Sequence, residues 1–113
     1  MGRIIKFLKI DNKKNVEDFI NTLSIIEKKK TLFVLKLISQ NERIANEFFK
    51  KLKNTDDIWE IKIDVNQKFI RIFCFLEAQN IIIATNAYFK KQNKTDKKQI
   101  KLAEKYKKIY FEN

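Results

Sequence analysis

The stretch from Trp59 to Leu76, which reads WEIKIDVNQKFIRIFCFL, decides the fold of this chain. Apolar and polar side chains alternate along residues 59–65, which is the pattern of a β-strand with one buried face. The pair Asn66-Gln67 interrupts the alternation as a two-residue hairpin connection, and residues 69–76 form the returning strand. The stretch therefore predicts two antiparallel strands joined by a tight turn.

The short connection also determines which side chains face each other. If Val65 lies opposite Lys68, then Lys62 lies directly opposite Arg71. A third strand over residues 81–88, after a turn centred on Ala78-Gln79, would place Arg71 opposite Asn86 and Phe69 opposite Tyr88. The core face of this sheet is formed by Ile61, Ile63, Val65, Ile70, Ile72, Cys74 and Leu76. The open face carries a row of Lys62, Arg71 and Asn86, flanked by Phe69, Phe73, Tyr88 and Lys90.

The residues before this stretch predict one more strand and two helices. Residues 3–10 read as a strand, and the next apolar residues are spaced as one face of a helix, with Asn15 as its N-cap. The stripe of that helix is Val16, Phe19, Ile20, Leu23 and Ile26. Lys28-Lys29-Lys30 closes the helix or begins the next one, which continues over residues 31–38. Residues 41–57 show a weaker pattern, with a short helical turn or an anchored loop around Phe48, Phe49 and Leu52.

The end of the chain predicts a final helix over residues 96–110, capped by Thr95 or Asp96. The predicted order is therefore β-α-α-β-β-β-α. We expect an α+β fold in which the helices pack on one face of a small antiparallel sheet. A length of 113 residues indicates a single domain spanning residues 1–113.

The chain is strongly basic, with 25 Lys and Arg against 14 Asp and Glu, a formal net charge of +11. Residues 86–108 contain nine Lys against Asp96 and Glu104, a local net charge of +7. Such a field favours a polyanionic partner. The alternative is that a composition rich in Lys, Asn and Ile reflects codon bias alone. Charge does not distinguish among RNA, DNA, an anionic membrane and an acidic protein.

Other residue types exclude several classes of function. Histidine is absent, which removes the Ser-His and Cys-His nucleophile pairs and the commonest metal ligand. Cys74 is the single cysteine, so an internal disulfide and a Cys-based zinc site are excluded, and we expect no metal and no cofactor. The longest clean apolar run, residues 81–84, is far too short for a membrane helix, and Lys6 and Lys9 interrupt any signal peptide. We therefore expect a cytoplasmic protein that does not bind a membrane.

The predicted pairing of Lys62 with Arg71 indicates a possible site because it is costly. Like charges directly opposite each other destabilise a strand pair by up to about 1 kcal/mol. A bound phosphate would turn the repulsion into a clamp, and the rings of Phe73 and Tyr88 beside it could stack on unpaired bases. The alternative is that each cation pairs with a nearby carboxylate, either Glu60 or Asp64.

Cleavage of RNA without histidine is chemically possible. The 2′-hydroxyl of the substrate can attack the adjacent phosphate, and positioning and charge stabilisation then supply most of the catalysis. Clustered cations lower one another's proton affinity, so a lysine among them can act as a base. A second Lys, Arg or Tyr could protonate the leaving oxygen. Such a site would be a poor catalyst on free RNA and would depend on another molecule to hold the substrate in line.

Three segments in order resemble a known family. They are FKKLKNTDDIWEIKI at residues 49–63, FIRIFCF at residues 69–75 and YFKKQNKT at residues 88–95, followed by Ala103 in the last helix. Together they resemble the phage-derived RelE/HigB-like toxins of type II toxin–antitoxin modules. The resemblance implies a RelE-like fold and a ribosome-dependent mRNA endoribonuclease that stops translation. It also implies a helix-turn-helix antitoxin that neutralises the toxin in a hetero-oligomeric complex.

The resemblance also assigns roles to residues. Arg71 corresponds to the strand arginine of the family, Lys62 replaces a second arginine, and Lys90 and Lys91 match a lysine pair; these four are the predicted catalytic residues. The residues predicted to contact mRNA or rRNA are Lys51, Lys53, Phe73, Tyr88, Lys94 and Asn86.

The chain also departs from the family pattern. Asn86 stands where many relatives carry histidine, Ala87 replaces glycine and Asp96 replaces proline. The loss of histidine and of one arginine leaves a weakened or inactive toxin as an alternative. A second alternative is a non-catalytic basic module of phage origin that binds RNA or ribosomes, and a third is a structural protein with a solvated lysine coat.

Overall fold

The computed structural model describes residues 2–91 and 96–112, which form five strands and three helices. In chain order these are β1 (Ile4–Phe7), α1 (Asn15–Asn21), α2 (Ile25–Gln40), β2 (Phe49–Lys51), β3 (Trp59–Val65), β4 (Lys68–Ala78), β5 (Ile81–Lys90) and α3 (Lys97–Glu112). The α+β class is as predicted. The additional element is β2, a three-residue strand where the sequence predicted a helical turn or a loop.

The strands form one mixed sheet in the order β1-β5-β4-β3-β2. Strands β2 to β5 pair antiparallel, but β1 runs parallel to β5, so the prediction of a purely antiparallel sheet is wrong. The chain leaves β1, passes through α1 and α2, and enters the sheet again at the opposite edge. The neighbour of β1 is therefore β5, the last strand along the chain, and the two strands run in the same direction.

The hairpin of β3 and β4 has the predicted register, with Val65 opposite Lys68 and Lys62 opposite Arg71. Its connection is Asn66-Gln67, and both residues have positive φ values, 49° and 64°. This backbone is that of a type I′ turn, whose twist matches the twist of the flanking strands. The turn therefore imposes the register directly.

The pairing of β4 with β5 differs from the prediction. The turn is formed by Gln79 and Asn80, and register shifts occur between Leu76 and Ala78 and between Phe73 and Cys74. As a result Arg71 lies opposite Tyr88 and not opposite Asn86. Phe69 lies opposite Lys90, and Phe73 opposite Asn86. For residues 69–73 the shift is two residues, so the side chains predicted for the open face stay on that face. Residues 74–76 pair one residue away from the predicted register, so Ile82 and Ala84 lie on the face of Cys74 and Ile83 lies on the other face.

The helices lie on both faces of the sheet, which corrects the prediction that they share one face. Helices α1 and α2 pack with the isoleucines of β3 and β4, whereas Ala103 of α3 packs in a second core with Phe73 and Phe75. Residues 72–75 of β4 are consequently buried on both sides. The unbroken apolar run of this strand is typical of a strand covered on two faces.

The boundary between α1 and α2 also differs from the prediction. Helix α2 begins after Ser24, whose side chain accepts a hydrogen bond from the main-chain N–H of Glu27 at 3.2 Å. The Glu27 carboxylate in turn accepts from the main-chain N–H of Ser24 at 2.9 Å, completing a capping box. Lys28-Lys29-Lys30 therefore lies inside a helix. Asn15 is the first residue of α1 and not its N-cap, and its Nδ2 donates to the Tyr106 hydroxyl.

Helix α3 begins after Asp96, whose carboxylate accepts hydrogen bonds from the main-chain N–H groups of Lys98 and Gln99. Asp96 is thus one of the two predicted caps; the other, Thr95, lies outside the described residues. Among the described helices, none has the length and apolar character needed to cross a membrane.

The turn at Gln67 generates a stability prediction. A non-glycine residue in the left-handed region costs about 1–2 kcal/mol, and glycine relieves that cost at a smaller entropic penalty. We expect Gln67→Gly to raise the free energy of unfolding by about 0.5–1 kcal/mol, measured by urea denaturation. Gln79→Gly is the matched control, because the φ of Gln79 is not positive, and it should not stabilise the protein. Equal effects of the two variants would contradict the argument.

Candidate functional site

Nine side chains form three rows on the face of the sheet that α3 partly covers. The register of β3, β4 and β5 defines these rows. They are the inner row (Glu60, Phe73, Asn86), the middle row (Lys62, Arg71, Tyr88) and the outer row (Asp64, Phe69, Lys90). Neighbours within a row are about 5 Å apart, and successive rows are about 7 Å apart. All predicted side chains of the open face therefore lie on one surface.

The three rows pass from buried to exposed toward the hairpin at Asn66-Gln67. Every side chain of the inner row is buried, and Phe73 and Asn86 lie against α3. In the middle row Arg71 is buried, whereas Lys62 and Tyr88 are half-buried. In the outer row Asp64 and Phe69 are exposed. A ligand approaching this face would meet the outer row first and Arg71 behind it.

Asn86 and Phe73 of the inner row connect the sheet to its neighbouring elements. Asn86 Nδ2 donates to Gln99 of α3, at 2.8 Å to the side-chain oxygen and 3.1 Å to the main-chain oxygen. The Thr85 hydroxyl donates to Asn86 Oδ1 at 2.6 Å. Phe73 is fully buried and packs edge-on against Tyr88, with 5.6 Å between ring centroids. The RNA contacts predicted for Phe73 and Asn86 stay predictions, and in this structure α3 covers both side chains.

Arg71 is held by two carboxylates. Its Nη1 donates to Asp64 Oδ1 at 2.7 Å and to the Ile70 carbonyl at 3.0 Å. On the other side its Nε lies 3.7 Å from Glu60 Oε2, an ion pair without a hydrogen bond. Both of these atoms are buried, and neither has a hydrogen-bond partner among the described residues. The guanidinium also lies 5.9 Å from the centroid of the Phe69 ring.

These contacts show how the sheet accommodates two cations side by side. Glu60 and Asp64 compensate the charge of Arg71. For this residue the structure therefore matches the alternative that each cation pairs with a nearby carboxylate. Lys62 forms no ion pair with any residue in the described ranges. The three rows contain three cations and two carboxylates, so the surface keeps a small positive excess next to Arg71.

Tyr88 lies beside Arg71 in the middle row. Burial raises the pKa of the Tyr88 phenol, and the carboxylate of Glu60 raises it further, while the main chain of Asp96 acts in the opposite direction. The phenol is therefore neutral at physiological pH. In chemical terms Tyr88 can donate a proton or a hydrogen bond but cannot act as a base.

The other predicted lysines lie at different places. Lys90 is the outer-row residue of β5, and Lys91 follows it at an exposed position. Lys94 lies outside the described residues. Lys51 is exposed on the edge strand β2 and pairs with Asp57 at 2.8 Å, which lowers the pKa of that carboxyl. Lys53 is exposed in the following loop. Lys51 and Lys53 thus belong to the β2 edge and not to the three rows.

The remaining candidates from the sequence are core residues. Cys74 is buried, and burial raises the pKa of its thiol, so it is not a nucleophile. Tyr106 and Tyr110 pack against the second core, and the Tyr110 hydroxyl donates to Glu77. No group of three or more His, Cys, Asp or Glu able to hold a metal ion occurs within the described part of the chain.

Sequence reasoning missed Thr85 and Gln99, which fix Asn86 between the sheet and α3. The register shift beside Phe73 places Thr85 out of the regular pairing, and no pattern in the sequence marks that position. Glu60 and Asp64 were visible in the alternation of β3, because they share a face with Lys62.

Asn86 generates a prediction about the contact between the sheet and α3. Asn86→Ala would remove the hydrogen bonds of a buried amide to Thr85 and Gln99, so we expect it to lower the free energy of unfolding by about 1–3 kcal/mol. The exposed Asn46 provides the control, and Asn46→Ala should change stability by less than about 0.5 kcal/mol. Chemical denaturation measures both. A loss at Asn86 no larger than at Asn46 would show that this network does not anchor α3.

Comparison with known proteins gives one family. No curated protein matches the chain. The family model described as Phage derived protein Gp49-like (DUF891) matches residues 18–108, from α1 to near the end of α3. The match includes all three rows and most of the chain. The chain therefore belongs to the Gp49-like family of phage-derived proteins.

Proposed function

We propose that this chain is the toxin of a type II toxin–antitoxin system and that it cleaves mRNA on the ribosome. The observation that carries the proposal is the position of Arg71, a guanidinium 7% exposed at the boundary between the buried and open parts of the three rows. Lys62 lies next to it, and Lys90 lies in the outer row through which a phosphate would approach. The sequence resemblance to RelE/HigB-like toxins and the phage-derived family agree with this role.

The proposed reaction is cleavage by the substrate's own 2′-hydroxyl. The 2′-oxygen attacks the adjacent phosphorus while the bond from phosphorus to the 5′-oxygen breaks. The products are a 2′,3′-cyclic phosphate and a 5′-hydroxyl, so the 2′-oxygen loses a proton and the 5′-oxygen gains one. Arg71 is proposed to bind the nonbridging oxygens, because a guanidinium offers two parallel donors to a phosphate as its negative charge increases.

Proton transfer is assigned to the neighbours of Arg71. The proposed proton-transfer and phosphate-binding groups are Lys62, Lys90 and Lys91. Lys62 lies beside Arg71, Lys90 lies in the outer row through which a phosphate would approach, and Lys91 is the exposed residue after Lys90. Tyr88 is assigned no proton transfer, because its hydroxyl oxygen is buried and a raised pKa makes the phenol a weaker acid. No histidine or metal ion is required for these steps.

The β2 edge is proposed to contact the ribosome. Lys51 and Lys53 present two exposed ammonium groups away from the three rows. Both side chains of the Lys51–Asp57 ion pair are exposed, and solvent strongly screens such pairs, so an rRNA phosphate can replace the carboxylate. Lys94 is assigned to the same backbone contacts by the resemblance alone. The ribosome would then position the mRNA and would place the protein in the cytoplasm.

A helix-turn-helix antitoxin is proposed as the neutralising partner, forming a hetero-oligomeric complex. This part of the proposal depends on the resemblance alone.

One observation favours the alternative of a non-catalytic RNA- or ribosome-binding module. Arg71 is already engaged by Asp64 and Glu60, so its charge is compensated before any phosphate arrives. A surface of this kind can bind RNA through Lys62, Lys90 and the exposed lysines of α3 without cutting it. The two functions make different predictions for Asp64 and for Arg71.

Asp64 tests whether a phosphate competes for Arg71. The Asp64 side chain is 58% exposed, so its ion pair contributes at most about 1 kcal/mol, which corresponds to about fivefold in affinity. We expect Asp64→Asn to bind single-stranded RNA about two- to fivefold more tightly, measured by fluorescence anisotropy at fixed salt. Glu47→Gln removes the same charge at an exposed position outside the rows and is the control. Identical affinities for the two variants would show that RNA does not reach Arg71.

Arg71 tests catalysis itself. Induced expression without an antitoxin should arrest bacterial growth and give mRNA fragments that end in 2′,3′-cyclic phosphates and 5′-hydroxyls. We expect Arg71→Ala to reduce cleavage of translated mRNA by about 10²–10³-fold, because it removes the cation that is proposed to stabilise the negative charge of the transition state. Arg71→Lys, which keeps a cation beside the buried Glu60, should also be impaired because it lacks the paired donors.

The control for these variants is Arg43→Ala, which changes an exposed loop arginine and should remain toxic. Circular dichroism verifies that each Arg71 variant is folded. Normal growth and intact mRNA with the wild-type protein, at confirmed expression, would refute the enzyme. Ribosome binding under those conditions would support the non-catalytic module.

A further inference from the structure

The outer face of α2 exposes large apolar side chains. Ile25 is 75% exposed, Ile26 59%, Leu32 52% and Phe33 57%. The inner face of the same helix is buried through Glu27, Thr31, Val34, Leu35 and Ile38. An isolated exposed leucine needs no explanation, but four large apolar side chains on one helix do. We define the α2 surface as the four exposed apolar residues together with Lys28, Lys29, Lys30 and Lys36.

The apolar residues of the α2 surface occupy one side of the helix. At 100° per residue, Leu32, Ile25, Phe33 and Ile26 fall in this order within an arc of about 120°. Lys36 and Lys29 fall inside this arc, between Ile25 and Phe33. The remaining two lysines, Lys28 and Lys30, fall about 40° beyond its two ends. The cations are therefore interleaved with the apolar side chains and also border them.

The α2 surface carries four positive charges without an exposed carboxylate. Glu27 is the single acidic residue of α2, and it is buried. Its carboxylate accepts from the Ser24 main chain and pairs with Lys68 at 2.9 Å. Lys30 Nζ lies 5.6 Å from the centroid of the Phe33 ring, so a cation and an exposed aromatic ring already share one site.

We propose that the α2 surface docks an acidic amphipathic helix of a partner protein. A helix with apolar residues at i, i+3, i+4 and i+7 can bury Ile25, Leu32 and Phe33 by packing side by side with α2. Glutamates beside those anchors would meet the lysines within and around the arc, so both parts of the surface find a complement.

The arrangement disfavours the other two candidates for an occupant. Helices that lie on membranes keep their lysines on the polar face, opposite the apolar one. Here Lys29 and Lys36 lie in the middle of the apolar arc, and the opposite face of α2 is inside the protein core. A nucleic acid would pair with the lysines but would leave Ile25 and Leu32 without an apolar partner.

The proposal is independent of the proposed function, because the α2 surface and the three rows lie on opposite faces of the sheet. A partner helix on α2 would leave Arg71 and the outer row open. The α2 surface is therefore a second site with a different kind of ligand.

The test uses the full chain and a designed probe. The probe is a fluorescein-labelled helical peptide with leucine at heptad a and d positions and mostly glutamate elsewhere. Binding is measured by fluorescence anisotropy, against a scrambled peptide of the same composition. We expect Leu32→Ala combined with Phe33→Ala to weaken binding by about tenfold or more, because buried apolar anchors dominate such interfaces. Ile4→Ala is the apolar control, since Ile4 is 53% exposed on β1.

The charged part of the surface has its own pair of variants. Lys29→Ala should weaken binding several-fold, whereas Lys101→Ala, at an exposed position of α3, should not. Equal binding of the scrambled peptide would overturn the proposal, as would unchanged binding in the Leu32 and Phe33 variant. The proposal would also be overturned if the Leu32 and Phe33 variant lost binding to phosphatidylserine vesicles or to oligouridine but kept its binding to the peptide. All of these side chains are exposed, so the variants are expected to fold.

Discussion

The two-residue turn at Asn66-Gln67 sets the register on which both the core and the candidate site depend. A slip of one residue would exchange the faces of β3, sending its isoleucines to the α3 side and Glu60, Lys62 and Asp64 into the core with α1 and α2. The turn avoids this outcome by adopting positive φ at both residues, although neither is glycine. Backbone strain at the surface is thus accepted in exchange for correct placement of the charges beside Arg71.

The burial of Arg71 explains why two carboxylates lie next to a proposed phosphate site. A buried guanidinium without a counterion would cost several kcal/mol, so some acidic partner is required for folding. Glu60 is 4% exposed and cannot leave, whereas Asp64 is largely in solvent and can. The two carboxylates therefore have different consequences. Glu60 holds the guanidinium on the side of the buried inner row, and Asp64 occupies the side of the outer row, from which an anion would approach.

The sequence predicted what depends on local pattern and failed where tertiary contacts decide. The strand at Trp59–Val65 and its register followed from period-two alternation and a tight turn, so Lys62 and Arg71 were placed correctly. The register shifts between β4 and β5 leave no signal in the local sequence, so Asn86 was predicted opposite Arg71 although it lies opposite Phe73. Burial of Phe73 and Asn86 depends on α3 crossing that face, a long-range contact. The capping box at Ser24, by contrast, was readable and was overlooked.

The double coverage of β4 separates the two surfaces of the protein and limits how they can influence each other. With Phe73 and Phe75 packed against α3 and Ile72 against the other core, β4 has little freedom to move toward either face. A partner on α2 could therefore affect the outer row mainly through the Glu27–Lys68 ion pair, since Lys68 directly precedes Phe69. The Ser24 main chain and Lys68 lower the pKa of Glu27, so this link remains charged at neutral pH. Any coupling between the surfaces would be local to the start of β4 and would not require the sheet to deform.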